Sequence, residues 1–300
     1  MKRKLVKQGA ATMMVSLPAK WIKQHGLDKG DEIEVEETGD GSLVIEMKNK
    51  KGKKETAINI TSMTESSIRT LLTNAYRLGY DRIDVKYAYD NALRIIEHTL
   101  KKQLLGFQIV KKENKKCIIE NITEPSAEQF ENIYSKMILN IKELFDIAKD
   151  ALEGSNKRID EAEDIEDSIK QFDNFCRRII AKENLYGHYA LQWAFHAELI
   201  HAQREIYLLL RHLKNNKTKC NKEILSLLEE CREMFEMIVR AHKEKNIELL
   251  ERAHDMEKKL VYEAGHKLLE KGKDSIIVKH IVNAIREFYL CASPLMGMAI

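Results

Sequence analysis

Apolar and polar positions alternate by two near the start of the chain and recur every three or four residues over most of its length. "TMMVSLP" (12–18) reads as a strand stopped by Pro18, and that proline suits the first turn of a short helix, "AKWIKQHG", closing at Gly26. "GDEIEVEE" then sets Ile33 and Val35 against Asp31, Glu32, Glu34 and Glu36, and "DGSLVIE" repeats the alternation after an Asp-Gly turn. The order predicted is strand, helical turn, strand, turn, strand. A segment of about fifty residues buries little surface alone, so it is expected to dimerise by interleaving strands with a second copy.

A second pattern runs over 55–123. "TAINI" and "RIDVKYA" read as strands, "TESSIRTLLTNAYRLG" as a helix capped by Thr64, and "DNALRIIEHTLKKQL" as another helix. "FQIVKKENKKCIIENI" reads as a hairpin turning at "ENKK". A small sheet with two helices on one face follows. The segment carries neither a glycine-rich phosphate loop nor a catalytic motif, which favours a spacer or contact role.

From about 125 onward the period is helical throughout. Six helices are predicted: one from the Pro125-Ser126 start signal to Gly154, then 158–183, 187–213, 221–245, 246–271 and 275–297. Sliding the chain against itself by 88 residues places Glu163 on Glu251, Asp167 on Asp255 and Asp160 on Glu248. Two three-helix halves are expected. The fold class is therefore multidomain α+β: a small β head (1–47), a basic linker (48–54), a small α/β segment (55–123) and an all-α domain of two three-helix repeats (124–300).

Composition narrows the function. Charged residues make up 32% of the 300 residues and there are only three prolines, which favours helix-rich structure. The net charge of +3 hides an asymmetry, because residues 1–25 hold Lys2, Arg3, Lys4, Lys7, Lys20 and Lys23 and no acid. A second basic run, "KNKKGKK", reads as a solvated linker. Five cysteines with no Cys-x-x-Cys suggest neither a disulfide framework nor a thiolate zinc site, and a reducing cytoplasm fits best. The start only imitates a signal peptide, since Thr12 and Ser16 interrupt its short apolar core, and no run is long enough for membrane insertion.

"VSLPAKWIKQHGLDKGDEIEVEE" followed by "DGSLVIE" resembles the AbrB/MazE/SpoVT swapped-hairpin family over residues 2–47. The resemblance implies a homodimer that binds DNA through basic residues of the first strand and its flanking loop: by position Arg3, Lys4, Lys7, Lys20 and Lys23. "KQGAAT" stands where that family has an arginine-rich hairpin. Lysines engage phosphate as point charges, so affinity with little base readout is expected.

The repeated acids supply a second clue. Glu163 and Asp167, like Glu251 and Asp255, are four apart and share a helix face, where two carboxylates repel unless a cation or basic partner lies between them. Such pairs suit a hard or borderline metal, although on so charged a chain they also read as a solvated face. In this two-by-three setting the spacing resembles the PhoU family of phosphate-signalling proteins over 105–300. That resemblance implies a multinuclear metal centre (iron, zinc, manganese or magnesium) with Glu163, Asp167, Glu251 and Asp255 as ligands. The third helix of each half offers Glu205 and Glu287 where the family has another acid.

An enzyme is the weaker reading. Glu-x-x-His occurs at Glu198–His201, Glu251–His254 and Glu263–His266, and a carboxylate-bridged oxidase uses two such motifs, but a composition this rich in Glu and His gives roughly one such pair by chance, so three are only suggestive. The cluster "YGHYALQWAFHAELIH" reads as helical core rather than a pocket. An antitoxin fits poorly, because in that family a short disordered tail, not six helices, follows the hairpin. The reading reached is a DNA-binding regulator of phosphate uptake or signalling; the alternative is an adaptor without DNA binding that contacts a phosphate transporter or sensor kinase.

Overall fold

The computed structural model describes residues 2–9, 12–37, 41–47, 53–123, 127–183, 188–216 and 219–300. The Asp40 of the Asp-Gly turn, most of the basic run (48–52), the Pro125-Ser126 start signal and Gly187 lie outside them. The chain divides into two compact units, Met1–Gly52 and Lys53–Ile300.

In the first unit, β1 (Val6–Gln8) pairs antiparallel with β2 (Thr12–Met14), Lys7 opposite Met13. β1 is additional to the predicted order: at three residues it is too short to display a period. Helix α1 (Ala19–His25) follows Pro18 and ends at Gly26, whose left-handed backbone (φ 60°) lets the Leu27 N–H reach the Ile22 carbonyl at 3.1 Å. In "LDKGD", Asp31 Oδ2 accepts from the Asp28 N–H at 2.8 Å, tying the turn into β3 (Ile33–Glu37), which pairs antiparallel with β4 (Leu43–Met47). Among its described residues none is buried, and Leu5, Val6, Met13, Met14, Val15, Val35, Leu43 and Val44 are exposed.

The second unit opens with β5 (Glu55–Ile60), α2 (Glu65–Arg77), β6 (Arg82–Tyr87), α3 (Asp90–Gln103) and the hairpin β7 (Phe107–Glu113) and β8 (Lys116–Asn121). The sheet order is β5-β6-β8-β7, with β5 and β6 parallel and the other pairs antiparallel. Ile83, Val85 and Tyr87 of β6 are buried beneath α2 and α3, which contribute Ile68, Leu72, Tyr76, Ile96 and Leu100. On alternate positions Arg82 joins Asp84 (3.2 Å) and Glu120 (3.0 Å), as expected of a sheet covered on one face. Thr64 caps α2 by accepting from the Ser67 N–H at 3.2 Å. Gly106 (φ 79°) admits no side chain, since a Cβ there would stand 2.4 Å from Thr123 Oγ1.

Helices α4 (Ala127–Leu152), α5 (Ala162–Glu183), α6 (Tyr189–Asn215) and α7 (Lys222–Glu244) follow, then α8 (Ile247–Glu257), which runs through a π-helical stretch, Lys258–Gly265, into α9 (His266–Glu270). Helices α10 (Ser275–Leu290) and α11 (Ala292–Met298) complete the chain. The two runs of three predicted helices are thus present, the fifth widened by the π stretch and the sixth broken at Cys291. Phe145, Phe235 and Phe288 meet at centroid distances of 5.3–6.1 Å and join α4, α7 and α10 at the core. Gly265 lets α10 approach the π stretch, because a Cβ there would meet Val282 at 2.5 Å and the Leu260 carbonyl at 2.9 Å.

Helix α5 packs against α4 and α6 on one side and against α2 and α3 on the other. Its seam with the α/β layer is polar: Arg77 Nε donates to Asn174 Oδ1 (2.6 Å), and Asn174 Nδ2 donates to the Gln103 carbonyl (2.9 Å). The wholly buried Arg178 donates to the carbonyls of Tyr76 (3.0 Å) and Tyr80 (2.7 Å). The α/β layer and the helices therefore form one compact unit.

Candidate functional site

The head is built so that its charges stay outside. β1 is exposed on every residue because hairpin pairing satisfies its backbone without covering its side chains, so Lys7 stands in solvent, and Arg3 and Lys4, in the extended stretch ahead of it, are exposed as well. Lys20 and Lys23 lie three apart on the exposed side of α1, while Trp21 and Ile22 turn to the partly covered side. All five basic residues expected to meet DNA are thus exposed on the unit that carries them. Lys53 and Lys54, at the end of the basic run, have structural partners instead. Lys53 Nζ meets Glu120 Oε2 at 2.9 Å, and Lys54 Nζ donates to the Leu78 carbonyl at 2.8 Å.

Residues 6–54 match the family described as antidote-toxin recognition MazE, bacterial antitoxin. The head is an AbrB/MazE-like domain. No curated protein and no solved structure matches the chain significantly. No likeness found in these comparisons extends past residue 54, so the PhoU-like reading of the helices rests on the sequence resemblance.

The four acids expected to hold metal lie on two helices. Glu163 is exposed and Asp167 half-buried on α5, whereas Glu251 and Asp255 are both exposed on α8. Asp167 Oδ2 meets Lys102 Nζ at 3.1 Å, and Asp164 Oδ1 meets the same ammonium at 3.3 Å; these contacts, Asp167 first, hold the Lys102 pKa above its ordinary value. A basic partner is therefore in place at the first pair, and a cation there would have to displace it. The buried Glu166 beside it is held by Lys170 and by Arg204 at 3.2 Å.

Among the described residues one group of three possible metal ligands converges: Glu198 and His201 of α6 with Glu287 of α10, their ligand atoms all within 4.8 Å of one another. Burial, then the charge of Glu198 and a hydrogen bond with it, raise the Glu287 pKa. Two carboxylates and an imidazole suit a borderline divalent ion. Further along the same seam, His280 Nδ1 lies 2.7 Å from Glu205 Oε2. Of the three Glu-x-x-His motifs, the other two lack a converging third ligand among the described residues. His254 Nδ1 instead meets the Tyr289 hydroxyl at 2.9 Å. Sequence reasoning named Glu287 and the 198–201 motif separately; their meeting depends on the antiparallel seam of α6 and α10, which periodicity does not encode.

A buried polar cluster was missed altogether. Asp173 accepts from Arg177 Nε at 2.9 and 3.0 Å and from Arg77 at 3.4 Å, and its Oδ1 is 3.1 Å from His196 Nδ1. Burial pushes the Asp173 pKa up, but the cations around it, Arg177 first, outweigh that and hold it below the ordinary carboxylate value. Burial keeps His196 below its ordinary value despite Asp173. An ionised Asp173 is thus shared by two guanidiniums and a neutral imidazole, an arrangement that orients helices rather than one that holds a substrate. Each partner alone looks like an ordinary charged residue of an amphipathic helix.

Proposed function

We propose that this chain is a DNA-binding, non-catalytic regulator that dimerises through its AbrB/MazE-like head and uses the helical unit as a sensor or interaction domain in phosphate uptake or signalling. The observation that carries the reading is the head itself: eight large apolar side chains lie uncovered beside five exposed basic residues. A second copy covers the apolar set and doubles the basic one. Two copies of Arg3, Lys4, Lys7, Lys20 and Lys23 then present a cationic surface to phosphates, whose released counterions make binding salt-dependent.

The family that the head matches is also one of bacterial antitoxins. The long second unit, Lys53–Ile300, favours the regulator, because most of the chain is folded, helical and tied together through α5. The metal reading rests on the matched acids Glu163, Asp167, Glu251 and Asp255, and the converging Glu198, His201 and Glu287 offer a further donor set on the same helical unit. No helix of the described residues is long and apolar enough to cross a membrane, which agrees with work in the cytoplasm.

Fluorescence anisotropy of the full chain with random-sequence duplex DNA at increasing salt tests the proposal. Binding that weakens linearly on a log-log plot is expected. No detectable binding at low salt would favour instead an adaptor that contacts a phosphate transporter or sensor kinase.

A further inference from the structure

A cavity of about 510 Å³ opens between α4, the start of α6, the end of α7 and α11. Its volume falls in the range of small-molecule sites. The floor is aromatic and neutral: the Tyr134 hydroxyl and His242 Nδ1 are 3.1 Å apart, and Phe195 stacks behind His242 with ring centroids 4.5 Å apart. Burial holds the His242 pKa down at about 4, so the floor carries no charge near neutrality. Leu295 and Met298 add apolar wall, and Leu139, 62% exposed, stands on the rim.

Two polar features are unexplained by the fold. Gln192 lines the cavity, is only 4% exposed, and among the described residues its Oε1 has no hydrogen-bond partner. A buried acceptor without a donor is costly unless something supplies one. The rim holds Lys142, Lys243 and Lys245 against one acid, Glu131. Lys142 lies 3.8 Å from Glu236, but among the described residues neither Lys243 nor Lys245 makes an ion pair. His188, which stands at the N-terminal end of α6, lines the same cavity and among the described residues makes no side-chain cap, so the positive end of a 27-residue helix adds to the rim's field.

We propose that this cavity binds a small amphipathic anion, its apolar body against Tyr134, His242 and Leu295, an N–H or O–H donor on Gln192 Oε1, and its charged head at Lys243 and Lys245. The site is independent of the DNA-binding reading and lies wholly within the second unit. An aromatic amine sulfonate, carboxylate or phosphate has the required chemistry.

The test uses the full chain with 8-anilinonaphthalene-1-sulfonate, which has an apolar body, one N–H and an anionic head, and with N-phenyl-1-naphthylamine, which lacks only the head. Saturable fluorescence with the sulfonate is expected, with the neutral probe about tenfold weaker, as loss of one charge-assisted hydrogen bond implies. Lys243→Glu with Lys245→Glu should weaken the sulfonate about tenfold and leave the neutral probe unchanged, since both lysines are exposed and their replacement spares the fold. Gln192→Leu should weaken both probes, and Ser135→Trp, which fills the mouth, should abolish both. Sulfonate binding that is absent, equals that of the neutral probe, or persists in the lysine and Ser135 variants overturns the proposal, the last outcome placing the probe elsewhere, such as on the apolar head.

Discussion

Arg178 and Asp81 meet with Nη2 2.5 Å from Oδ1, and Lys182 adds a second cation to the same oxygen at 2.8 Å. The other carboxylate oxygen accepts from the Lys54 N–H at 3.1 Å. Burial pushes Asp81 up, but these partners hold its pKa below the ordinary value. One carboxylate thus ties the residue leading into β5, the start of β6 and α5 together. Arg178 is wholly buried, so Arg178→Ala removes the donor to the Tyr80 carbonyl and one of the two cations on Asp81 and leaves a cavity, and it should cost about 3–5 kcal/mol in urea unfolding. The more exposed Lys182→Ala should cost much less. Equal costs for the two would mean that Arg178 is not the centre of the seam.

The uncovered apolar face of the head predicts its own test. Val35→Asp with Leu43→Asp places charge where a second copy would pack and should convert a dimer to monomer in sedimentation, with loss of DNA binding. A variant that remains dimeric would assign dimerisation to another surface.

Lys4 and Lys7 are expected to act on DNA by engaging phosphates. Replacing both with Ala should reduce the slope of log affinity against log salt by about one unit for each phosphate no longer engaged, with similar weakening on every sequence. An unchanged slope, or weakening confined to one sequence, would contradict a phosphate-binding role.

Metal content separates the two donor sets. Asp167→Ala with Asp255→Ala should lower iron, zinc, manganese or magnesium in elemental analysis if the matched acids hold it; Glu198→Gln with Glu287→Gln should lower it if the converging cluster does. Asp167→Ala leaves Lys102 with Asp164 alone, so its effect on metal-free stability is expected to be under about 0.5–1 kcal/mol, as for other partly exposed pairs. Protein whose content and melting ignore both pairs of substitutions would leave all these acids as ordinary helix faces.

His242 predicts a pH window. Burial first, and then the neighbouring His196, lower its pKa from 6.5 to about 4. Between those values the unfolded chain takes up a proton that the folded chain refuses, so stability is full above about 6.5 and is lost as pH falls toward 4. The largest loss from this group is about 3 kcal/mol. His196, shifted in the same direction, adds to the loss. Asp173 does not act in this window, because a carboxylate held low gives up its contribution only below its ordinary range. Urea midpoints at pH 7 and 4.5 should therefore differ less in His242→Phe than in the wild type.

Much of the architecture was legible because its signals are local. The Thr64 cap, the Gly26 stop, the "ENKK" turn and the period of six helices each lie within a few residues of what they determine. Arg178, Asn174 and Asp173 read as the charged side of an amphipathic helix, yet they are buried, because α5 has neighbours on both sides. A second buried face looks polar in sequence when it seats carbonyls and carboxylates. The meeting of Glu198 with Glu287 was hidden for a related reason, as it depends on how two distant helices align. The five basic residues of the head were legible as a set because an exposed hairpin needs no distant partner to place them.

The seam on α5 also has a consequence for the chain as it is made. Arg178 lies 97 residues after Asp81, so the α/β layer leaves the ribosome long before the helix that covers α2 and α3. At about 5–20 residues per second, that interval lasts roughly 5–20 s. During it Tyr80 waits with a carbonyl that water must satisfy, and Asp81 has only Lys54 close at hand. The polar make-up of the seam suits this delay: a surface that must stand open in water for seconds is safer lined with carbonyls, an amide and a carboxylate than with leucines.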